Sequence, residues 1–150
     1  MHATDAPPSM ADLAALHHIG IVTTTARHAG VVQHLVRTLG GAVEYEVEDD
    51  PLDVLATWVL VSEGPRFEVV SPRSDRATPI TGFLDRTGGG LHHVSLATET
   101  IGTCRDLALA GGARIIGENE DHGGWAEFFL DPHQTGGALL HWMQAVDVQT

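Results

Sequence analysis

Four side chains stand where a buried strand would ordinarily carry apolar groups, and together they have the chemistry of a transition-metal site. His18 lies in LHHIGIVTTT, residues 16–25, and His93 in LHHVSLATET, residues 91–100; the segments share Leu, both His and two Thr at an offset of 75 residues. Glu68 in FEVVSP and His141 in LLHWMQ form a second equivalent pair, each a polar group inside an apolar run. Burying an unpaired carboxylate or imidazole is costly, and a shared cation would satisfy all four groups at once. Three imidazoles and one carboxylate suit Fe(II), Zn(II), Ni(II), Co(II) or Mn(II) better than Ca(II) or Mg(II). Alternate residues of a strand face one side, so His18 shares its face with Gly20 and Val22, and His93 shares its face with Ser95 and Ala97. Those small neighbours leave room beside the imidazoles.

The elements that must position these groups also repeat. Leu16–Thr23 reads as a strand, Ala26–Leu39 as a helix with Val31, Leu35, Val36 and Leu39 on one face, and Gly40 as its end. Three strand-like runs follow, Ala42–Val47, Val54–Val61 and Arg66–Ser71. The second half gives a strand over Leu91–Ala97, a helix near Ile101–Ala110, and strands over Ala113–Ile116, Trp125–Leu130 and Ala138–Met143. Gly40-Gly41-Ala42 recurs as Gly111-Gly112-Ala113. Each half therefore reads βαβββ: module 1 over about 15–72, a linker over about 73–90 with a short helix at Pro79–Arg86 and the Gly88-Gly89-Gly90 hinge, and module 2 over about 91–144. Residues 1–14 and 145–150 are expected to be tails.

Composition narrows the function. The 150 residues are 43% hydrophobic, as a single domain with a normal core requires. Twenty acids oppose eight bases, the net charge is −12, and all eight bases are Arg. A polyanion-binding surface needs clustered cations, so nucleic-acid binding is not expected. Absence of lysine excludes a Schiff base or a P-loop lysine. The single Cys104 excludes a disulfide framework and multi-cysteine metal sites. No apolar run is long enough to span a membrane, and the opening MHATDAPPSM lacks the order of a signal peptide, so a cytoplasmic protein is expected.

LHHIG near the start, GLHHVSL at mid-chain, the FLDP turn and TGGALLHW near the end resemble the vicinal oxygen chelate superfamily, most of all its methylmalonyl-CoA epimerase branch, with glyoxalase I more distant. The similarity covers roughly residues 15–144. It implies an α+β fold of two tandem βαβββ modules whose cupped mixed sheet surrounds a central metal. The family's strand ligands fall on His18, Glu68, His93 and His141; the last is a departure, since the epimerases and glyoxalases carry glutamate there. A second departure touches the proton-transferring glutamate of the third strand, whose place falls on Thr57. Pairing TWVLV with EFFLD puts Glu127 at the module-2 equivalent of Thr57, as if carboxylates had been exchanged between the halves.

The resemblance thus implies a divalent transition metal on His18, Glu68, His93 and His141, with Glu127 as general base and Glu68, if it dissociates, as a second one. The implied reaction is an isomerisation or epimerisation by proton abstraction next to the carbonyl of a small hydroxy-carbonyl or acyl-thioester substrate. Two alternatives stay open. His18, His93 and Glu68 alone would make the 2-His-1-carboxylate set of an Fe(II) dioxygenase, and a metal-free cup would suit a drug-sequestering binding protein. A homodimer is implied by the family. The remaining signals have structural readings. His17 and His92 point away from the site in a regular strand, and His122 lies in a loop. Trp58, Trp125 and Trp142 wall a pocket or pack the core, Cys104 is a small buried residue, and Glu44–Asp50 is a solvated strand edge and turn.

Overall fold

Strand β1, Ala14–Val22, alternates buried and half-buried residues from His18 onward, the signature of an element with one packed face. A short 3₁₀ turn at Thr25–Arg27 leads into α2, His28–Leu39, which ends where Gly40 takes the left-handed conformation (φ 65°). After it come β2, Ala42–Asp49; β3, Val54–Leu60; β4, Arg66–Pro72; α3, Pro79–Thr87; and β5, Gly90–Thr98. The chain continues through α4, Ile101–Ala110; β6, Ile115–His122; β7, Trp125–Leu130; a 3₁₀ turn at Pro132–Gln134; and β8, Leu139–Ala145. A one-turn helix, α1, Met10–Leu13, precedes β1. This computed structural model describes residues 7–146; the parts of the expected tails at 1–6 and 147–150 lie outside the described residues. The fold is α+β, and the order βαβββ occurs twice, as β1-α2-β2-β3-β4 and β5-α4-β6-β7-β8.

The described residues divide into two compact units, one over 17–94, the other over residues up to Leu16 together with Ser95 onward. In the first, the strands lie in the order β2-β3-β4-β1, with β1 parallel to β4 and the other pairs antiparallel. The registers set Tyr45 against Trp58, Trp58 against Glu68, and Glu68 against Gly20, so these four residues form one row across the sheet. The next row on that face, Val47, Ala56, Val70 and Val22, runs into a core in which Val22, Val54, Ala56, Val70 and Ile80 pack with Leu52, Phe83 and Leu84, so that α3 covers that end. The opposite face carries Thr57 and Ser71 and receives α2: the buried His28 ring contacts Ser71 Oγ and Thr57 Oγ1, each at 2.7 Å. Burial pushes the His28 pKa down, against the pull of Glu46. Val31, Leu35 and Val36 are half-buried as their spacing predicts, whereas Leu39 is exposed at the helix end.

In the second unit β8, β7 and β6 form an antiparallel ladder, with Glu127 opposite Met143 and Phe129 opposite His141. Its core is Cys104, Ala108, Phe128, Leu130 and Trp142. Phe128 and Trp142 stack at 5.1 Å and 4°, which makes Trp142 a core residue. Met10 and Leu13 pack on this core, so α1 is tied down within the stretch expected to be a tail. Strand β6 is longer than its pattern predicts: an acidic run, exposed on an edge, carries no apolar alternation, yet backbone pairing with β7 extends it to His122.

Candidate metal centre

Three of the four residues expected to bind metal meet in the first unit. His18 is delivered by β1, Glu68 by β4 alongside it, and His93 by the start of β5. The two Nε2 atoms are 3.0 Å apart, and Glu68 Oε2 lies 3.4 Å from His18 Nε2 and 3.2 Å from His93 Nε2. His18, Glu68 and His93 form the one group of three or more such side chains, among the described residues, whose donor atoms lie close enough to share an ion. Donor atoms about 2.1 Å from a metal stand roughly 3.0–3.4 Å from one another on the face of an octahedron or tetrahedron, which is the spacing seen. Two imidazoles and one carboxylate, aimed at a common point, are therefore a fitting donor set for a divalent transition metal.

The local sequence explains the aim. Gly20 is two residues from His18 on the same face, and the His93 ring fills the space over it. A Cβ at Gly20 would lie 2.1–2.6 Å from His93 ring atoms. His18 is 3% exposed, and burial pushes its pKa down to about 4 against the attraction of Glu68. Burial also opposes the charge on Glu68, yet the imidazoles of His18 and His93 hold its carboxyl well below the ordinary range. At neutral pH the cluster thus offers an unprotonated imidazole at His18 and an ionised carboxylate at Glu68.

Around the cluster the row Tyr45–Trp58 forms an aromatic wall. Trp58 meets the His18 ring edge-on at 4.7 Å and stacks on Tyr45 at 5.7 Å. Arg66, two residues before Glu68, is paired with Glu44, its Nε and Nη2 at 2.5 and 3.1 Å from the carboxylate. Sequence alternation sets His17 and His92 on the far side of their strands, but their rings do not turn away. His17 Nδ1 is 2.8 Å from His18 Nδ1, and His92 Nδ1 is 2.9 Å from His93 Nδ1. The signal that could have found them was the doubling of His in both copies of the repeat.

Thr57 does not occupy the place expected of the third-strand proton-transferring residue. It faces α2 and bonds His28 and the Glu46 carboxylate, because its register partner is Val69 and not Glu68. On the Glu68 face β3 presents Ala56 and Trp58, neither of which can move a proton. The equivalence of Glu127 shifts accordingly. Glu127 opposes the residue two beyond His141, as Ala56 opposes the residue two beyond Glu68, so Glu127 corresponds to Ala56.

His141 and Glu127 belong to the second unit, where they are hydrogen-bonded to each other. His141 Nε2 is 2.9 Å from Glu127 Oε2, and its Nδ1 is 2.9 Å from Ser95 Oγ. Glu127 Oε1 lies 2.8 Å from His122 Nδ1. His122, expected in a loop, closes β6 and is 23% exposed at its side chain. Burial opposes the Glu127 charge, but the hydrogen bonds to His141 and His122 hold its carboxyl below the ordinary range. The second unit thus keeps an ionised carboxylate between two imidazoles.

A family model described as the glyoxalase/bleomycin resistance protein/dioxygenase superfamily matches residues 17–129. An ethylmalonyl-CoA/methylmalonyl-CoA epimerase of Cereibacter sphaeroides is 28% identical over 129 residues, covering 83% of this chain and 93% of that protein. Among solved structures, methylmalonyl-CoA epimerase of Mycobacterium tuberculosis superposes with a TM-score of 0.77 at 18% identity, over 98% of this chain and 94% of that one. A variant of the Streptomyces coelicolor methylmalonyl-CoA epimerase in complex with 2-nitronate-propionyl-CoA gives 0.75 at 19% identity, over 90% and 99%.

Proposed function

The chain belongs to the glyoxalase/bleomycin resistance protein/dioxygenase superfamily, and from that membership we propose that it is a metal-dependent epimerase, exchanging the proton on the carbon beside the carbonyl of a small acyl thioester. The observation that carries this reading is the His18–Glu68–His93 triangle, taken with the 28% identity to an epimerase of ethylmalonyl- and methylmalonyl-CoA. Its substrate class is accordingly a 2-alkylmalonyl thioester, with a small hydroxy-carbonyl compound as the simpler variant.

His18, His93 and Glu68 would hold the ion, which supplies Lewis-acid polarisation of the substrate carbonyl. Glu68 is committed to that role by the two imidazoles that flank it. Glu127 is assigned the proton transfer: its hydrogen bonds to His141 and His122 keep it ionised at neutral pH, the state a general base needs before turnover. A hydrogen on the carbon beside a polarised carbonyl leaves as a proton to Glu127, the electron pair is delocalised onto the carbonyl oxygen, and a proton from a solvent water at the opposite face inverts the centre while Glu127 passes its own proton to the hydroxide left behind.

The test is proton exchange in D2O. Metal-loaded protein should wash deuterium into the α-position of a 2-alkylmalonyl thioester, followed by NMR, and Glu127→Gln should keep its metal while losing exchange by about 10²–10⁴-fold. Undiminished exchange in Glu127→Gln would remove Glu127 from the mechanism. A fourth ligand at His141 requires its Nε2 to trade Glu127 for the ion, and goes with metal lost from both His18→Ala and His141→Ala. The second reading, an Fe(II) dioxygenase, is favoured by the three-residue set of two His and one carboxylate. Metal kept by His141→Ala, no α-exchange, and oxygen consumption by the iron-loaded protein would select it.

A further inference from the structure

We propose that His17 and His92 are positioning residues of the metal centre: each holds the outer nitrogen of the ligand imidazole that follows it and thereby sets that ring's tautomer and aim. The inference rests on the reading of His18, Glu68 and His93 as metal ligands. It starts from a contact that strand geometry does not demand, since consecutive side chains project to opposite faces. Here both His–His doublets nevertheless bring Nδ1 to Nδ1, at 2.8 Å for His17 and His18 and 2.9 Å for His92 and His93. The same contact recurs at two places 75 residues apart, on two different strands.

The tautomers follow from the donor count. A neutral histidine that gives a metal its Nε2 lone pair carries its proton on Nδ1, and that N–H needs an acceptor. In both doublets the neighbour's Nδ1 stands at hydrogen-bond distance from that nitrogen, and it accepts when the neighbour's own proton sits on Nε2. One assignment therefore serves both doublets: Nδ1–H on His18 and His93, Nε2–H on His17 and His92. Packing holds the acceptor rings in place. His92 meets Phe83 edge-on at 4.8 Å, and His17 meets Trp58 at 6.0 Å.

The acceptor's charge matters as well. A carboxylate there would push negative charge onto the ligand imidazole and so onto the ion. A neutral imidazole orients the ligand without doing so, and Glu68 remains the one anionic donor of the triangle. The doublets thus keep a divalent ion more electrophilic than carboxylate-backed histidines would.

The experiment measures metal affinity of the full chain by competition with a chromophoric chelator, using Co(II) and Zn(II), and melting of the metal-free protein alongside. His17→Phe and His92→Phe keep ring bulk and remove the acceptor; each should weaken binding by about 10–100-fold while metal-free melting stays near wild type. His17→Asn and His92→Asn restore an acceptor and should recover most of the affinity. Wild-type affinity in both Phe variants overturns the proposal, and so does weakened binding that Asn fails to rescue, because packing would then be the cause. Wild-type protein that binds neither ion overturns the metal reading itself, and this inference with it.

Discussion

Adding one methyl group at Gly20 should dismantle the metal centre from below. The Cβ of Gly20→Ala would lie 2.1 Å from His93 Cε1, 2.3 Å from Nδ1 and 2.6 Å from Nε2. Ordinary contact begins near 3.4 Å, so the imidazole must withdraw by about 1.3 Å, several times the roughly 0.2 Å within which metal–ligand distances hold. The ring cannot both clear the methyl group and keep its Nε2 in the triangle with His18 and Glu68. Losing a ligand should cost more than removing an outer-shell partner, so affinity should fall more than about 100-fold. The backbone itself has no objection: Gly20 is not among the positive-φ glycines and lies in a strand, where alanine is the less costly residue. Melting of the metal-free variant should thus stay within about 1 kcal/mol of wild type. The assay is chelator competition with metal counted per chain, using Gly102→Ala, which meets nothing within 4 Å, as the control. Wild-type affinity and stoichiometry in Gly20→Ala would refute the placement of His93 over Gly20.

Two further outcomes follow from the cores. Burial pushes the folded pKa values of His28, His18 and His92 below the ordinary imidazole range, His18 and His92 to about 4. For His18 and His92 the unfolded chain binds more protons between about pH 4 and 6.5, so this part of the metal-free stability is fully present above about pH 6.5 and falls as the pH drops toward 4, by up to about 1.4 kcal/mol per pH unit for each of the two, with His28 acting in the same direction. Thermal melts at pH 7 and pH 5 measure this, and equal midpoints would contradict it. In the second unit, Phe128→Ala removes a 1% exposed ring stacked on Trp142 and should cost about 3–5 kcal/mol in urea unfolding; a loss below about 1 kcal/mol would mean that the Phe128–Trp142 stack does not organise that core.

Much of the site was legible because its residues violate local expectation. A histidine or glutamate inside an apolar strand is conspicuous, and the repetition of LHH at an offset of 75 residues identified His18 and His93 as a pair before any geometry was known. Gly20 was legible as space beside His18, but that His93 is what fills this space was not. His122 reads as a loop residue because β6 is acidic and exposed, and only its pairing with β7 makes it a strand that ends beside Glu127. Thr57 was misplaced by a single residue. Strand side chains alternate with period two, so a slip of one position transfers every group to the other face, and the alignment of TWVLV with EFFLD contained just such a slip.

Residue types and their spacing determined the repeat, the βαβββ order, the donor chemistry and the exclusion of lysine-based and multi-cysteine sites, since each depends on composition or local periodicity alone. Tertiary structure decided which atoms meet. Pairing of β1 with β4, and of β4 with β3, placed Glu68 beside Gly20 and Trp58 and turned Thr57 toward His28. Ring rotation, which no strand pattern specifies, brought the outer nitrogens of His18 and His93 to His17 and His92. Periodicity states which residues share a face within one strand, whereas the partners across that face come from segments far away in the chain, chosen by packing and backbone pairing rather than by any neighbour in sequence.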